Sequence, residues 1–379
     1  MIRFGWFCLL FGFSVLTLHA QVSLQKADSL TLHFPGKPLE KDPYPPAVIF
    51  LDGYLMVFPG DFTAHFFQRQ DTGYVYQSTI KFWTEKNGKI FWRQAFQFFV
   101  ANGSLWGIGD QCLYRYSLTK PESPIKTINL FAPGGQYLVD CPYELVNVGL
   151  KERDIYQLYL PTRTLSRSKT LIPSDKAKQK ANAGAMFARF DLILDDMPKV
   201  IDRQGYGINR QTDLTAFVNF HYSWLREGNI VTDGRQIFHS THADGKIRCF
   251  DFKGELVDSI NAIGEMLPWQ YLKSPDKLTR SAVTASIDAS GYYDNLMTFT
   301  NKEYLVRQYG LPKGADGIRG KHLQLINKVS KKIYEMPIPL TIHYLRVDRD
   351  QLYHVSEWDF SKGFVKIQFF DIHVKENAH

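Results

Sequence analysis

The sequence predicts an all-β fold, and three observations support this prediction. Aromatic residues, which favour strands, make up 15% of the chain and include 28 Phe and 20 Tyr. Windows with a helical period are few, and only Ser174–Ala185 and Asn261–Leu272 are candidate helices. Elsewhere, short alternating apolar runs end at turn dipeptides, a texture typical of sandwiches, barrels and propellers.

The turn dipeptides tolerate the positive φ angles that tight hairpins need. They are Asp52-Gly53, Thr72-Gly73, Asn87-Gly88, Asn102-Gly103, Glu227-Gly228, Asp244-Gly245, Lys253-Gly254 and Ser290-Gly291. Because they recur along the chain, we expect many short antiparallel strands.

The first 20 residues have the features of a secretory signal peptide. Arg3 gives a positive start, an apolar run extends from Phe4 to Leu18, and cleavage is expected between Ala20 and Gln21. A membrane anchor is the alternative, but the run is shorter than the roughly 20 apolar residues that span a bilayer. No other stretch is apolar enough to cross a membrane, so we expect export to a periplasm, cell surface or medium.

The cysteine count argues against a disulfide framework. Cys8 lies in the signal peptide, which leaves Cys112, Cys141 and Cys249. We expect these three to be small, buried and unreactive side chains. Whether Cys112 and Cys141 form a pair stays open.

The net charge of +7 is partly concentrated in one segment. Its basic residues, opposed only by an aspartate at position 175, are Arg163, Arg167, Lys169, Lys176, Lys178 and Lys180. Such a segment suits an anionic glycan, lipid head groups or an acidic partner, and a solvated loop is the alternative. Nucleic acid is not expected, because no motif for binding it is present.

A four-stranded unit of about 45 residues, the size of one propeller blade, is clearest around residues 220–260. Its predicted strands are "FHYSWLREGNIV", "RQIFHSTHA", "KIRCFDF" and "LVDSI". The C-terminus supplies only three strands, "LTIHYLRVDRD", "QLYHVSEWD" and "GFVKIQFFDIHV". The isolated N-terminal strand "DSLTLHFP" is the expected fourth, since a propeller closes in this way and removes an open edge.

Six such units account for the chain. The first spans about Pro46–Phe91, the second ends near Ala132, the third near Arg210, and the fifth spans about Ser281–Pro339. The sequence therefore predicts a six-bladed β-propeller whose last blade is closed by the N-terminal strand, with five or seven blades as alternatives. We assign residues 1–20 to a signal peptide and residues 21–379 to one propeller domain, with a basic insertion at about 161–185.

This pattern resembles secreted six-bladed β-propellers, a broad group that includes NHL-like and uncharacterised bacterial families. The resemblance covers nearly the whole mature chain and rests on the repeat period and the strand–turn–strand texture. It implies a binding platform, because such propellers mostly bind ligands or proteins. Some are enzymes, and the fold alone does not decide the function.

Matching positions in the fourth and sixth units suggest a ligand site. Each unit has a His-Tyr pair near the start of its first strand, and first strands line the central channel. The candidate ligand-binding residues are His221, Tyr222, Trp224, Arg226, His343 and Tyr344. The alternative is that these aromatic side chains pack between blades.

The sequence predicts no catalytic residue, metal ion or cofactor. His239 and His242 have a spacing seen in metal sites, but residues three apart on a strand point to opposite faces. Zinc-helix, nucleophile-elbow and P-loop motifs are absent, and the carboxylates Asp195-Asp196 and Asp348/Asp350 have turn-like contexts. The predicted function is non-catalytic binding of a ligand or protein. The alternative is a hydrolase or lyase for glycan or ester substrates, with its site at the channel.

Overall fold

The computed structural model describes most of the chain between residues 21 and 375. The described ranges are 21–36, 45–59, 63–86, 89–92, 97–109, 112–129, 148–151, 155–161, 185–194, 199–207, 228–242, 245–262, 285, 288–289, 291–314, 319–342 and 345–375.

These residues form six four-stranded antiparallel sheets and one two-stranded hairpin. The strands are β1 (Gln21–His33), β2 (Ala47–Leu51), β3 (Tyr54–Phe58), β4 (Thr63–Gln70), β5 (Gly73–Lys81), β6 (Trp83–Lys86), β7 (Lys89–Trp92), β8 (Gln97–Ala101), β9 (Ser104–Gly109), β10 (Cys112–Ser117), β11 (Pro124–Asn129), β12 (Val148–Lys151), β13 (Ile155–Pro161), β14 (Ala185–Ile193), β15 (Lys199–Gly207), β16 (Gly228–Thr232), β17 (Ile237–Thr241), β18 (Lys246–Phe250), β19 (Leu256–Asn261), β20 (Tyr292–Thr298), β21 (Tyr304–Lys313), β22 (Arg319–Asn327), β23 (Ile333–Ile338), β24 (Arg346–Asp348), β25 (Gln351–Asp359) and β26 (Phe364–Lys375). Sheets 1 to 6 are β2–β5, β8–β11, β12–β15, β16–β19, β20–β23 and β24–β26 with β1, while β6 and β7 form the hairpin.

The all-β β-propeller prediction is confirmed. Several predicted strands match closely, such as β13 and β25, whose bounds are those of "IYQLYLP" and "QLYHVSEWD". In the part of the chain that the structure describes, no helix is long and apolar enough to cross a bilayer. The two candidate helices lie largely outside the described residues, but Ala185 begins β14 and Asn261 ends β19.

Two parts of the strand prediction were wrong. The hairpin of β6 and β7 lies between sheets 1 and 2, although the predicted first unit included it. Of the predicted strand from Leu340 to Asp350, the described residues contribute only β24, because a turn interrupts its start. In this turn the amide of Ile342 donates to the carbonyl oxygen of Pro339 over 2.8 Å.

The predicted turn chemistry is visible where β8 turns into β9. Asn102 and Gly103 have φ angles of 46° and 62°. Two consecutive positive angles define the type I′ hairpin, whose twist suits the flanking strands, and Asn and Gly tolerate them best. The dipeptide therefore fixes the register of this hairpin.

The N-terminal strand closes the last sheet, as predicted. β1 pairs antiparallel with β26 from Gln21 opposite Lys375 to His33 opposite Phe364. Just beyond, the amide of Phe34 donates to the carbonyl oxygen of Gly363 over 2.9 Å. A Cβ atom on the residue at position 363 would lie 2.0 Å from the Phe34 carbonyl oxygen, so this close approach requires glycine.

Antiparallel pairing gives the propeller two distinct faces. The turns that join the first to the second strand, and the third to the fourth, lie at the same end of a sheet. We call this end the turn face. The opposite end, where the chain leaves one sheet for the next, is the connection face.

Neighbouring sheets are in contact, and we call each contact zone a seam, named by its two sheets. Seams 1/2, 3/4, 4/5, 5/6 and 6/1 join β2 to β8, β13 to β16, β16 to β20, β20 to β24 and β1 to β5. In seam 2/3, the side-chain amide of Asn102 donates to the carbonyl oxygen of Leu194 over 2.8 Å. Contacts thus follow the chain order, and the sixth sheet contacts the first.

The core consists of apolar side chains within the seams. In seam 6/1, for example, Leu32 and Val365 of sheet 6 belong to the same buried cluster as Val48 and Phe67 of sheet 1. Separate clusters occupy seams 1/2, 4/5 and 5/6. Burial of such side chains contributes about 1.5–3 kcal/mol each, so the seams hold the sheets together.

The cysteine prediction is confirmed only for Cys249. This side chain is buried, and burial is the main cause that raises the pKa of its thiol to about 12, so the reactive thiolate is suppressed. Cys112 is half-buried, contrary to the prediction, because its position at the start of β10 is near the sheet end. Cys141 lies outside the described residues.

We expect the closing strand to contribute strongly to stability. Leu32 is 1% exposed in seam 6/1, so Leu32→Ala should lower the free energy of unfolding by about 2–5 kcal/mol. Thr31, its exposed neighbour on β1, is the matched control, and Thr31→Ala should change stability by less than about 0.5 kcal/mol. Urea unfolding measures both, and equal effects would contradict the role of the strand.

Candidate functional site

The six candidate ligand-binding residues lie outside the described part of the chain, and so do the six residues of the basic segment. The former are His221, Tyr222, Trp224, Arg226, His343 and Tyr344. Both sets therefore stay predictions. The carboxylates Asp195 and Asp196 also lie outside.

The densest polar cluster of the described residues lies in seam 4/5. Arg307 on β21 is directly opposite Gln324 on β22, which is directly opposite Glu335 on β23. Directly opposed residues share one face of a sheet, so the three form a polar row across sheet 5. Two residues along, Leu305 and Ile326 on the same face are apolar and pack against sheet 4.

Arg307 is the centre of this cluster and is fully buried. Its Nε and Nη2 atoms donate to Oε1 of Gln324 over 2.9 and 2.7 Å, and Nη1 donates to Oγ of Ser240 over 3.1 Å. Nη2 also donates to the carbonyl oxygens of Gly245 and Ala262. The buried guanidinium thus links sheet 5 to three points on sheet 4.

An aromatic ring and further hydrogen bonds of the Gln324 side chain complete the environment of Arg307. Its guanidinium carbon lies 3.8 Å from the ring centroid of Tyr293, close enough for a cation–π interaction. Gln324 Nε2 donates to Glu335 Oε1 and, over 3.2 Å, to the carbonyl oxygen of Ala262. The amide therefore connects the buried cation to the half-buried carboxylate.

A second branch of the cluster extends towards the connection face. The hydroxyl of Tyr309 donates to Oε2 of Glu335 over 2.9 Å and lies 3.1 Å from Nδ1 of His322. A phenol has one proton, which goes to Glu335, so the phenol oxygen accepts from Nδ1–H of His322. Neutral His322 then has its lone pair on Nε2. This arrangement orients an imidazole through a phenol and a carboxylate, as a proton acceptor requires.

The two histidines of the suspected metal motif have different environments. His239 is fully buried within β17. His242 is half-buried, and its Nδ1 donates to the carbonyl oxygen of Tyr293 over 2.7 Å, across seam 4/5. Within the described ranges, no group of three His, Cys, Asp or Glu side chains is placed to hold a metal ion.

On the turn face, polar side chains join neighbouring sheets. Lys328 in sheet 5 and Asp233 in sheet 4 form an ion pair of 2.8 Å that is largely shielded from solvent. Asp350, in the turn after β24, accepts hydrogen bonds from the backbone and side-chain amides of Asn301 over 2.8 and 2.6 Å. The turn that contains Asp350 therefore joins sheets 5 and 6 through hydrogen bonds.

The polar row of sheet 5 was missed by the sequence analysis. Its signal is a polar residue within a mainly apolar strand in "LVRQY", "HLQLI" and "YEM". Each segment alone predicts an ordinary strand. Only the register of β21 to β23 shows that Arg307, Gln324 and Glu335 are aligned.

No protein-family model matches the chain, and no curated relative matches it. Among solved structures, a member of the DUF4221 family from Bacteroides vulgatus is similar, with a TM-score of 0.54 and 15% identity over 94% of this chain and 99% of that chain. The chain has the β-propeller fold. The WD40 domain of Pan2 from Neurospora crassa has a TM-score of 0.46 and 10% identity, and covers 95% of this chain and 98% of that chain.

Loss of the Arg307 side chain should destabilise seam 4/5. Arg307→Met leaves several buried acceptors without their donor, each at about 1–3 kcal/mol, so the free energy of unfolding should fall by at least about 3 kcal/mol. Arg235→Met, at an exposed turn of sheet 4, is the matched control and should be nearly neutral. Urea unfolding of both variants checks this, and equal losses would show that the network contributes no net stability.

Stability should also depend on pH through His239. Burial, then the nearby positive charges of Arg248 and His242, lowers its pKa from 6.5 to about 3. At a pH between these two pKa values, His239 is protonated in the unfolded state but not in the folded state. The free energy of unfolding therefore falls as the pH drops below 6.5, by about 2 kcal/mol at pH 5. His239→Gln should reduce this loss in urea titrations at pH 7.5 and 5, whereas exposed His373→Gln should not. An unchanged loss in His239→Gln would contradict the assignment.

Proposed function

We propose that the protein is an exported β-propeller that binds a ligand or a protein partner without catalysis. The supporting observation is that two central ionisable groups of seam 4/5, Arg307 and Glu335, are occupied by bonds within the scaffold. Arg307 bonds to both sheets, and Glu335 accepts from two neighbours. Binding then depends on exposed side chains at the two faces, where loops and turns of a propeller gather.

The proposal includes a ring of six blades, one for each four-stranded sheet. It is supported by the contacts of each sheet with the next and by the pairing of β1 with β26. Such closure leaves no open edge between the first and last blades. The proposed ligand residues come from the sequence pattern and lie outside the described residues. They are His221, Tyr222, Trp224, Arg226, His343 and Tyr344.

Export is part of the same proposal and rests on the N-terminal sequence. Expression in a secreting host, followed by mass spectrometry of the exported chain, tests it. A mature N-terminus at Gln21 supports the signal peptide, whereas retention of the intact chain in the membrane fraction supports an anchor.

A hydrolase or lyase for glycan or ester substrates is the second candidate, and one observation favours it. The chain from Glu335 through Tyr309 to His322 leaves Nε2 of the imidazole as the proton acceptor. General-base catalysis needs such an oriented imidazole. No described residue is bonded to this Nε2 atom.

One experiment separates the two functions. The purified mature protein is incubated with a panel of oligosaccharides and aryl esters, and both retention and cleavage are measured. A binding platform retains a compound unchanged, and Trp224→Ala should weaken retention about tenfold or more, since aromatic side chains dominate binding energy. An enzyme forms product, which His322→Gln and Tyr309→Phe abolish while Tyr304→Phe does not. Absence of both retention and product across the panel would contradict the enzyme and the binding of glycans or esters, and would leave a protein as the partner.

The basic segment should attach the protein to anionic surfaces. Replacement of its six Lys and Arg residues by Gln should weaken binding to phosphatidylglycerol vesicles, since each such charge contributes about 1 kcal/mol near an anionic surface. The control replaces the exposed Lys120, Lys253 and Lys332, and phosphatidylcholine vesicles give the charge-independent background. Vesicle sedimentation measures the binding, and unchanged binding of the six-site variant would refute the role of the segment.

A further inference from the structure

The turn-face end of seam 6/1 has charged side chains on both walls. On the sheet 6 side, Arg346 is directly opposite Tyr353, and Asp348 is directly opposite Gln351. The hydroxyl of Tyr353 donates to the carbonyl oxygen of Val48 in sheet 1 over 2.9 Å. Directly opposed residues, and residues two apart on one strand, lie on the same face of a sheet. Arg346 and Asp348 therefore share the face of Tyr353, which is the face towards sheet 1.

The sheet 1 wall carries a further arginine and a phenol. Arg69 at the end of β4 is directly opposite Tyr74 at the start of β5. Arg69 shares its face with Phe67, two residues earlier, which is buried against sheet 6. Arg69 and Tyr74 therefore face Arg346 and Asp348 across the seam.

An aromatic cluster lies beneath these charged groups. The ring of Phe50 makes edge-to-face contacts with Tyr74 and Tyr353, with centroid distances of 6.0 and 4.9 Å. Such packing holds Tyr74 in place between the two sheets. The seam thus has an apolar floor and a charged opening on the turn face.

In seams 4/5 and 5/6, charged side chains on the turn face bond one sheet to the next, whereas the described charged groups of seam 6/1 do not. Lys328 bonds to Asp233 in seam 4/5, and Asp350 to Asn301 in seam 5/6. In seam 6/1, no described residue bonds to the side chains of the three arginines or to the carboxylate. These side chains are Arg69, Arg346, Arg349 and Asp348.

The pKa values of Asp348 and Tyr74 respond to charges on both walls, in agreement with the strand register. Burial raises the pKa of Asp348, and the positive charges of Arg349 and Arg69 oppose this rise. Burial also raises the pKa of Tyr74, and Asp348 adds to that effect while Arg69 and Arg349 reduce it. Two arginines from different sheets therefore act on the same carboxyl and the same phenol.

We infer that the turn-face end of seam 6/1 binds an oxyanion group of a ligand, such as a sulfate, phosphate or carboxylate, between Arg69 and Arg349. Guanidinium groups bind oxyanions through paired, charge-assisted hydrogen bonds, and both side chains are exposed. Tyr74 contacts the remainder of the ligand. The half-buried Asp348 repels the anion from the floor and keeps it at the opening.

This inference names a site on the turn face and does not use the proposed ligand residues or the basic segment. Its failure would leave the proposed function untouched. Conversely, loss of binding in the six-site variant of the basic segment, with full binding in Arg69→Gln, would move the anion site to that segment and overturn the inference.

The test is calorimetric titration of the mature protein with inorganic sulfate, inorganic phosphate, acetate and a sulfated oligosaccharide. Arg69→Gln and Arg349→Asn should each weaken oxyanion binding about tenfold, the loss typical of one charge-assisted contact. Asparagine is chosen because position 349 has a φ angle of 51°, which asparagine tolerates. Asp348→Asn should tighten binding, since it removes the repelling charge.

Arg235→Gln, an exposed turn-face arginine of sheet 4, is the matched control and should bind like the wild type. Tighter binding of the sulfated oligosaccharide than of free sulfate identifies a glycan as the source of the anion, and the reverse identifies a free ion. The inference is overturned if no oxyanion binds, or if the Arg69→Gln/Arg349→Asn double variant binds as tightly as the wild type.

Discussion

The pairing of β1 with β26 is the interaction on which the arrangement of the other sheets depends. Sheet 6 has only three strands of its own, and β1 supplies the outer one. The contact spans almost the whole chain, since Gln368 donates its side-chain amide to the carbonyl oxygen of Asp28, 340 residues away in sequence. Closing so large a loop costs chain entropy, which grows only slowly with loop length, so burial of Leu32 and its neighbours can offset it.

In seam 4/5, apolar side chains and polar side chains have different roles: the former stabilise the contact, and the latter specify how the two sheets align. Apolar residues such as Leu305 and Phe238 supply burial energy in seam 4/5. Arg307 lies on the same face and bonds to atoms of both sheets, which only one alignment of the sheets satisfies. A buried polar row of this kind adds little net stability over apolar packing, but it disfavours other registers.

Much of the fold follows from local sequence patterns, because each pattern has a local cause. The bounds of β13 follow from its apolar alternation, and the hairpin at Asn102 follows from the positive φ angles that Asn and Gly tolerate. The incomplete C-terminal unit even indicated the closing strand. The polar sites were not predictable, because alternation fixes which face a residue takes but not its partner across the seam. Arg307 and Asp348 gain their surroundings only through contacts between sheets that are distant in sequence.

The ring closure also sets the order in which the fold can be completed. β1 precedes every other described strand, but its partner β26 ends at Lys375, so β1 stays unpaired until the strands between them have been made. During synthesis the ring therefore remains open at seam 6/1. The same delay leaves a long unpaired strand that can pair with other chains.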